Sequence, residues 1–280
     1  MTHTQKRIFM SQVVMILSTA SAVVGIGFLF WILGVLVING VDALTLTIFT
    51  TEGTPPGSGN GGLKHALIGQ LMLVFYASLF GVPLGVLAGT YLSEYSQKSK
   101  IGEIIRDISD IMMSAPSIVI GAFVYAVVVA PMGHFSGWAG SIALTIIMLP
   151  IVLRTTDDML QLVPSTLREA AFALGAPKYK VITQVVYRGA KAGILTGILL
   201  AVARVGGETA PLLFTSFNDN FLNTDMMQPV ASLTVTMYNY ATSPYEDWQK
   251  LGWAAAFILS MFILTLNILG RLILLKKKVK

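Results

Sequence analysis

Two opposite charges stand where charges are expensive. In the stretch Ala203-Arg-Val-Gly-Gly-Glu-Thr-Ala-Pro-Leu-Leu213, Arg204 and Glu208 interrupt an otherwise apolar run. At 100° per residue, Gly197, Ala201, Arg204, Glu208 and Pro211 fall on one stripe of a helix. An Arg near the middle of a bilayer costs about 2.5–3.5 kcal/mol on insertion scales, so it must face protein or water. Glu208, one turn on, is the obvious partner. Arg before Glu is the weaker order for such a pair. Gly206, Gly207 and Pro211 loosen the helix around it. Pro211 removes the bond to the Gly207 carbonyl, which can leave polar backbone facing a cavity. One reading is a buried ion pair that fixes helix packing. The other is a polar station on a translocation path, since a guanidinium offers a bidentate fork to an oxyanion.

A second chemistry-bearing stretch is polar and lies between apolar runs: Val163-Pro-Ser-Thr-Leu-Arg-Glu-Ala-Ala-Phe-Ala-Leu-Gly-Ala-Pro-Lys-Tyr-Lys180. Pro164 suits a first helical turn, and Thr166 with Glu169 makes a capping box. Leu167, Ala170, Ala171 and Leu174 share one face. Gly175 ends that helix, and Pro177 opens a second one running into Val181-Ile-Thr-Gln-Val-Val186. The product is a short helix–turn–helix at a membrane surface. It is either a handle for a partner or a plain amphipathic linker.

These stretches need a frame. A 280-residue chain with 54% apolar and 12% charged residues is not a soluble domain. It contains no cysteine, and His3, His65 and His134 are far apart in sequence. Disulfides and thiolate metal sites therefore fall away, and the histidines form no ligand spacing, so a catalytic metal is not expected. Taking about twenty apolar residues per crossing, we expect six spans: 13–38, 66–92, 111–131, 137–154, 190–214 and 252–275. The first follows Lys6-Arg7 but is too long for a cleaved signal, so it reads as a retained anchor. With the N-terminus inside, sixteen of the nineteen Lys and Arg fall in cytoplasmic segments, two (Lys64 and Lys250) outside, and Arg204 within the membrane. Both termini and the helix–turn–helix are thus expected in the cytoplasm, and the basic excess needs no nucleic acid to explain it.

The organisation follows. Residues 1–65 are an N-terminal anchor helix and a flexible, Gly- and Pro-rich outer loop (53–62). Residues 66–276 are a transmembrane core carrying the polar loop 155–188, and 277–280 are a basic tail. Outside, residues 216–251 are longer. Tyr238, Tyr240, Tyr245, Trp248 and Trp253 suit an interfacial belt, and Asp219, Asp225, Glu246 and Asp247 make that surface acidic. Gly81, Gly85 and Gly89, and again Gly189, Gly193, Gly197 and Ala201, repeat at the four-residue spacing of close helix packing. Ser114, Pro116 and Ser117 either open a helix beside a path or mark a kink. Arg154, beside Asp157-Asp158, is expected to snorkel.

On these residues a resemblance rests. Arg168-Glu-Ala-Ala-Phe-Ala-Leu-Gly-Ala-Pro177 resembles the EAA loop of ABC importer permeases. The pattern departs at Val185-Val-Tyr187-Arg188, where Ile-x-Leu-Pro is usual. Together with Ala115-Pro-Ser-Ile-Val-Ile-Gly121 and Gly207-Glu-Thr-Ala-Pro-Leu212, it is similar to the PstA-type permeases of phosphate ABC importers. The resemblance implies an all-α polytopic membrane protein with the six-helix type I (MetI-like) permease fold, in the bacterial inner membrane. It implies a second permease subunit (PstC-type), two ATPase subunits (PstB-type) and an extracytoplasmic phosphate-binding protein (PstS-type), besides membrane lipid. It implies no cofactor on this chain, ATP and Mg lying on the ATPase. In that family an Arg and a Glu in this region are associated with phosphate passage, which falls here on Arg204 and Glu208 only; from the residues themselves, Thr209, Ser114 and Ser117 are expected to line the path beside them. Glu208 would accept a hydrogen bond from a protonated phosphate, a proton that sulfate lacks, or else latch Arg204. Arg168, Glu169, Ala170, Ala171, Gly175 and Ala176 would form the ATPase coupling surface.

The chain has no Gly-x-x-x-x-Gly-Lys-Ser/Thr sequence, so it cannot hydrolyse ATP by that route, and it is not expected to be an enzyme. A self-sufficient secondary anion transporter or channel is the alternative; it would need no docking loop and would ideally show inverted repeats. An intramembrane enzyme would need a nucleophile–base or metal constellation, which the sequence does not offer.

Overall fold

The computed structural model describes residues 3–59, 61–97 and 99–278, except the side chains of Leu269 and 271–278. Lys98, the last two residues of the basic tail and the tail's side chains lie outside that description. All regular structure among the described residues is helical: α1 His3–Asp42, α2 Lys64–Glu94, α3 Lys100–Ser114, α4 Ser117–Met132, α5 Gly137–Gln161, α6 Ser165–Ala173, α7 Lys178–Val205, α8 Ala210–Leu213, α9 Leu233–Ala241 and α10 Glu246–Lys278, plus a turn at Thr47–Thr50. Five helices are long and apolar enough to cross a membrane, or six if α3 and α4 count as one bent span.

That bend corrects the expectation of an unbroken span over 111–131. Ala115 and Pro116 both adopt extended backbone (ψ 136° and 131°), because the ring of Pro116 keeps the residue before it out of the helical region. The two helices meet at 102°. α3 is amphipathic, and Ser99 caps it by accepting bonds from the backbone N–H groups of Ile101 and Gly102. Residues 190–214 are likewise not one helix. α7 ends at Val205, and Pro211 sits in the first turn of the separate α8 rather than kinking α7.

α5 is the centre of the molecule, and both glycine stripes explain why. A Cβ on Gly85 would lie 2.8 Å from Val152 Cβ, and one on Gly89 would lie 2.5 Å from the Leu153 carbonyl. On the other side, Cβ atoms on Gly193 and Gly197 would collide with Met159 and Thr155. Missing side chains on α2 and α7 let both helices sit directly on α5. Leu73, Leu144, Met148, Val152, Ala201 and Val205 fill the seam.

Polar pins hold one end of this bundle. Asp157 is fully buried and accepts from Arg106 Nε at 2.7 Å and Gln161 Nε2 at 2.7 Å, tying α3 to α5. Arg154 lies 3.8 Å from Asp110 and 3.7 Å from Asp158. At the other end the loop 53–62 is fastened to α10: Asp247 accepts from the Gly57 N–H at 2.7 Å, and the Trp248 indole donates to the Thr54 carbonyl at 3.2 Å. Tyr240 is not in an aromatic belt. It is 1% exposed, with its ring 4.8 Å from that of Trp248. α1 stands apart, with Gly40 its only buried residue among those described, seated against Phe257 of α10.

Candidate functional site

α7 stops two glycines short of Glu208. Its last turn tightens, with the Gly207 N–H donating to the Arg204 carbonyl at 3.0 Å and the Glu208 N–H to the Val205 carbonyl at 3.2 Å. A helix end among apolar helices must have its freed backbone groups met by protein. Gln70, 5% exposed on α2, does this: its Nε2 donates to the Gly206 carbonyl at 3.2 Å and its Oε1 accepts from the Leu233 N–H at 3.1 Å. The Thr234 hydroxyl donates to the Glu208 carbonyl at 2.9 Å. One amide from α2 and one hydroxyl from α9 thereby hold an unwound segment in place. Sequence reasoning missed both, although a lone Gln inside an apolar span was the available signal.

Arg204, in the last turn of α7, and Glu208, on this segment, point toward one another, with Nε and Oε1 3.8 Å apart. That separation is an ion pair beyond hydrogen-bond length. The two partners differ: the Glu208 side chain is 14% exposed and that of Arg204 55%. The carboxylate is tucked in, while the guanidinium keeps most of its donors open. It opens onto a cavity of about 260 Å³, whose lining includes Met112, Met113, Ser117, Ile120, Ile147, Ile151 and Leu200. A cavity so apolar, with one fork of five donors at its wall, suits a small anion that can accept several hydrogen bonds.

The elbow between α3 and α4 supplies the opposite wall. Gly121 makes this possible: a Cβ there would lie 2.6 Å from Pro211 Cα, so only glycine lets α4 approach α8 so closely. Ser117 lines the cavity with Arg204. Ser114, one residue before the elbow, donates instead to the Ile111 carbonyl at 2.8 Å. Thr209 lines a different cavity, of about 570 Å³, with Met237, Tyr238 and Trp253. The structure thus places Arg204 and Ser117 on one cavity, with Glu208 beside Arg204, and Thr209 and Ser114 elsewhere.

The surface hairpin is α6, its turn and the start of α7. Its first helix has no side-chain cap; Pro164 is the N-cap residue, so Thr166 and Glu169 form no capping box. With Pro164 at the cap, Thr166 is already the second residue of the helix, too far in for its hydroxyl to reach the capping position. Its end matches expectation. Gly175 has φ +77°, the Gly175 N–H donates to the Phe172 carbonyl at 2.9 Å, and the Ala176 N–H to the Ala171 carbonyl at 3.1 Å. Those two bonds are a Schellman turn. Glu169 and Ala170 are exposed, Ala171 and Ala176 half-buried, and the apolar face divides: Ala171 packs on the Val163–Val181 cluster while Leu174 is 89% exposed. Arg168 points inward to Glu94 at 2.8 Å and donates to the carbonyls of Leu160 and Val163.

A helical bundle with a charged cavity and an apolar surface hairpin has recognisable relatives. Residues 81–278 match the family model of the binding-protein-dependent transport system inner membrane component. The chain is 52% identical over 262 residues to a phosphate transport system permease protein PstA of Haemophilus influenzae, covering 94% of this chain and 93% of that protein. It is 50% identical over 268 residues to the protein of that name from Yersinia pestis, covering 96% and 91%. In fold it is similar to a chain of the MetNI methionine ABC transporter solved in inward-facing conformations, with TM-score 0.64, 18% identity, and 76% and 94% of the two chains covered. On both the sequence match and the geometry, this chain belongs to the inner-membrane components of binding-protein-dependent transport systems.

Proposed function

We propose that this chain is the PstA-type membrane subunit of an ATP-driven importer for inorganic phosphate. It supplies half of the translocation path, the other half coming from a homologous PstC-type permease. It takes its energy from two PstB-type ATPases docked on the hairpin and its substrate from a PstS-type phosphate-binding protein outside. Both termini and the hairpin lie in the cytoplasm. The chain itself carries out no ATP hydrolysis.

The observation that supports this best is the asymmetry of the Arg204–Glu208 pair. A pair serving only to pack helices would satisfy both partners; here the base is half exposed on a cavity while the acid is covered. Arg204 receives the oxyanion, and Ser117 is placed to donate a hydroxyl from the opposite wall. Glu208 holds the fork in place until the anion arrives, then accepts the proton that distinguishes hydrogen phosphate from sulfate. Glu169, Ala170 and Leu174 offer the ATPase an exposed, partly apolar contact face.

The test is ATP-dependent phosphate uptake by the complete transporter in proteoliposomes. Charge-assisted hydrogen bonds are worth about 1.5–3 kcal/mol, so Arg204→Gln is expected to lower uptake by about ten- to a hundredfold with normal assembly. Glu208→Gln is expected to let sulfate compete better. Unchanged uptake and selectivity in both variants would sink the site. Uptake by this chain alone, driven by an ion gradient, would favour a self-sufficient transporter instead.

A further inference from the structure

One buried acid has no part in the cavity. Glu94 is the last residue of α2, and its side chain is 7% exposed. Its carboxylate accepts from Arg168 Nη2 at 2.8 Å and from Arg168 Nε at 3.4 Å, across 74 residues of chain. Its backbone carbonyl accepts from Lys178 Nζ at 2.7 Å, and that ammonium lies 3.9 Å from the centre of the Tyr95 ring. Arg168 is on the first helix of the hairpin and Lys178 opens the second. One residue of α2 is therefore gripped by both arms of the hairpin. Charge-assisted contacts of this kind are the strong ones, and the Arg fork gives them a fixed direction.

We infer that Glu94 is a positioning residue that makes the hairpin and α2 move as one body, so that force received at the hairpin reaches the transport path through α2 as well as through α7. The covalent route, from Pro177 into α7, is visible in the chain; the route through Glu94 is not. α2 then carries the displacement in two ways. Gly85 and Gly89 press its backbone onto α5, and Gln70 holds the unwound segment that follows Arg204 and bears Glu208. A pull on the hairpin thus reaches the start of the segment beside the cavity by two routes, along α7 and through Gln70. This rests on the reading of the hairpin as the ATPase contact, and Glu94 itself faces inward, away from that contact.

The experiment uses the complete transporter in proteoliposomes and reads phosphate taken up per ATP hydrolysed. A merely structural defect lowers the amount of assembled complex and leaves that ratio untouched. For Glu94→Gln the ATPase rate is expected to persist while the ratio falls at least about fivefold, the lower end of coupling between distant sites. For Lys178→Met, an exposed and better tolerated change, it is expected to fall about twofold, the size of the exposed cation–π contact with Tyr95 that it removes. If Glu94→Gln does not assemble, Lys178→Met decides. A wild-type ratio in the assembled variants would overturn the inference. A second readout needs no substrate, and so separates this idea from the phosphate assignment. The chain has no cysteine, so Leu87→Cys on α2 and Thr166→Cys on α6 accept spin labels uniquely. Their separation is expected to stay fixed on ATP addition with Glu94 in place and to broaden in Glu94→Gln. Broadening in both proteins would equally overturn the link.

Discussion

A polar atom without a partner is most informative where it is fully buried. The Tyr240 hydroxyl is such an atom: it has no hydrogen-bond partner among the described residues, and burial pushes its pKa up to about 12. Removing an unpaired buried hydroxyl relieves a desolvation cost, so Tyr240→Phe is expected to leave the melting temperature in detergent unchanged or to raise it. The pH dependence has a definite sign. The unfolded phenol ionises near its ordinary value while the folded one keeps its proton, so this residue's contribution is complete below about pH 10 and is lost as the pH climbs toward 12. The Phe variant should lack that part of the alkaline decline. A variant that melts several degrees lower at neutral pH would show that the hydroxyl has a partner after all. The sequence showed Tyr240 only as one of five outer aromatics, since nothing local distinguishes a ring that faces Trp248 from one that faces lipid. Arg204 and Glu208 were legible because a charge in an apolar run announces itself. The roles of Glu94 and Gln70 were not, because Arg168, Gly206 and Leu233, their partners, lie far away in the chain.

Among the helices, glycines of identical appearance have opposite weight. Gly85 sits where a Cβ would meet Val152, whereas around Gly25 on α1 nothing lies within 4 Å. Gly85→Ala is therefore expected to force α2 off α5 and cost about 1–3 kcal/mol, as overpacking does. Gly25→Ala should be neutral or slightly stabilising, since Ala is the better helix former by up to about 1 kcal/mol. Thermal unfolding of the two variants followed by circular dichroism compares them directly. Equal melting temperatures would mean that the α2–α5 seam is loose. The sequence announced the two stripes by their four-residue period, but only the fold showed that both lean on the same helix. The boundaries it hid were those set by proline: the elbow at Pro116, and α8 opening at Pro211 after α7 has ended. In each case the apolar run continues across a break that hydropathy does not register.

For the molecule as a whole, the distribution of Lys and Arg is the strongest statement of direction, because the helices alone carry no inside or outside. The absence of native cysteine makes the proposed orientation directly measurable. In intact cells, an impermeant thiol reagent is expected to label Ser58→Cys in the loop fastened to α10. It should reach Leu174→Cys on the hairpin only after the membrane is opened. The reverse pattern would place the hairpin outside and end its assignment as an ATPase contact. The course of most spans was legible from composition and run length, and the fold class from the resemblance carried by the EAA motif and the motifs at 115–121 and 207–212. The 102° elbow and the braced segment after α7 were not, since both depend on contacts between helices distant in sequence.

The isolation of α1 has a temporal meaning as well. Its one buried position among the described residues, Gly40 against Phe257, joins the first helix of the chain to the tenth. During synthesis the early helix must wait in lipid, without a protein neighbour at that position, until nearly every other segment has been threaded into the bilayer. It is an arm built at the outset and docked at the finish, so premature termination upstream of α10 would leave it adrift.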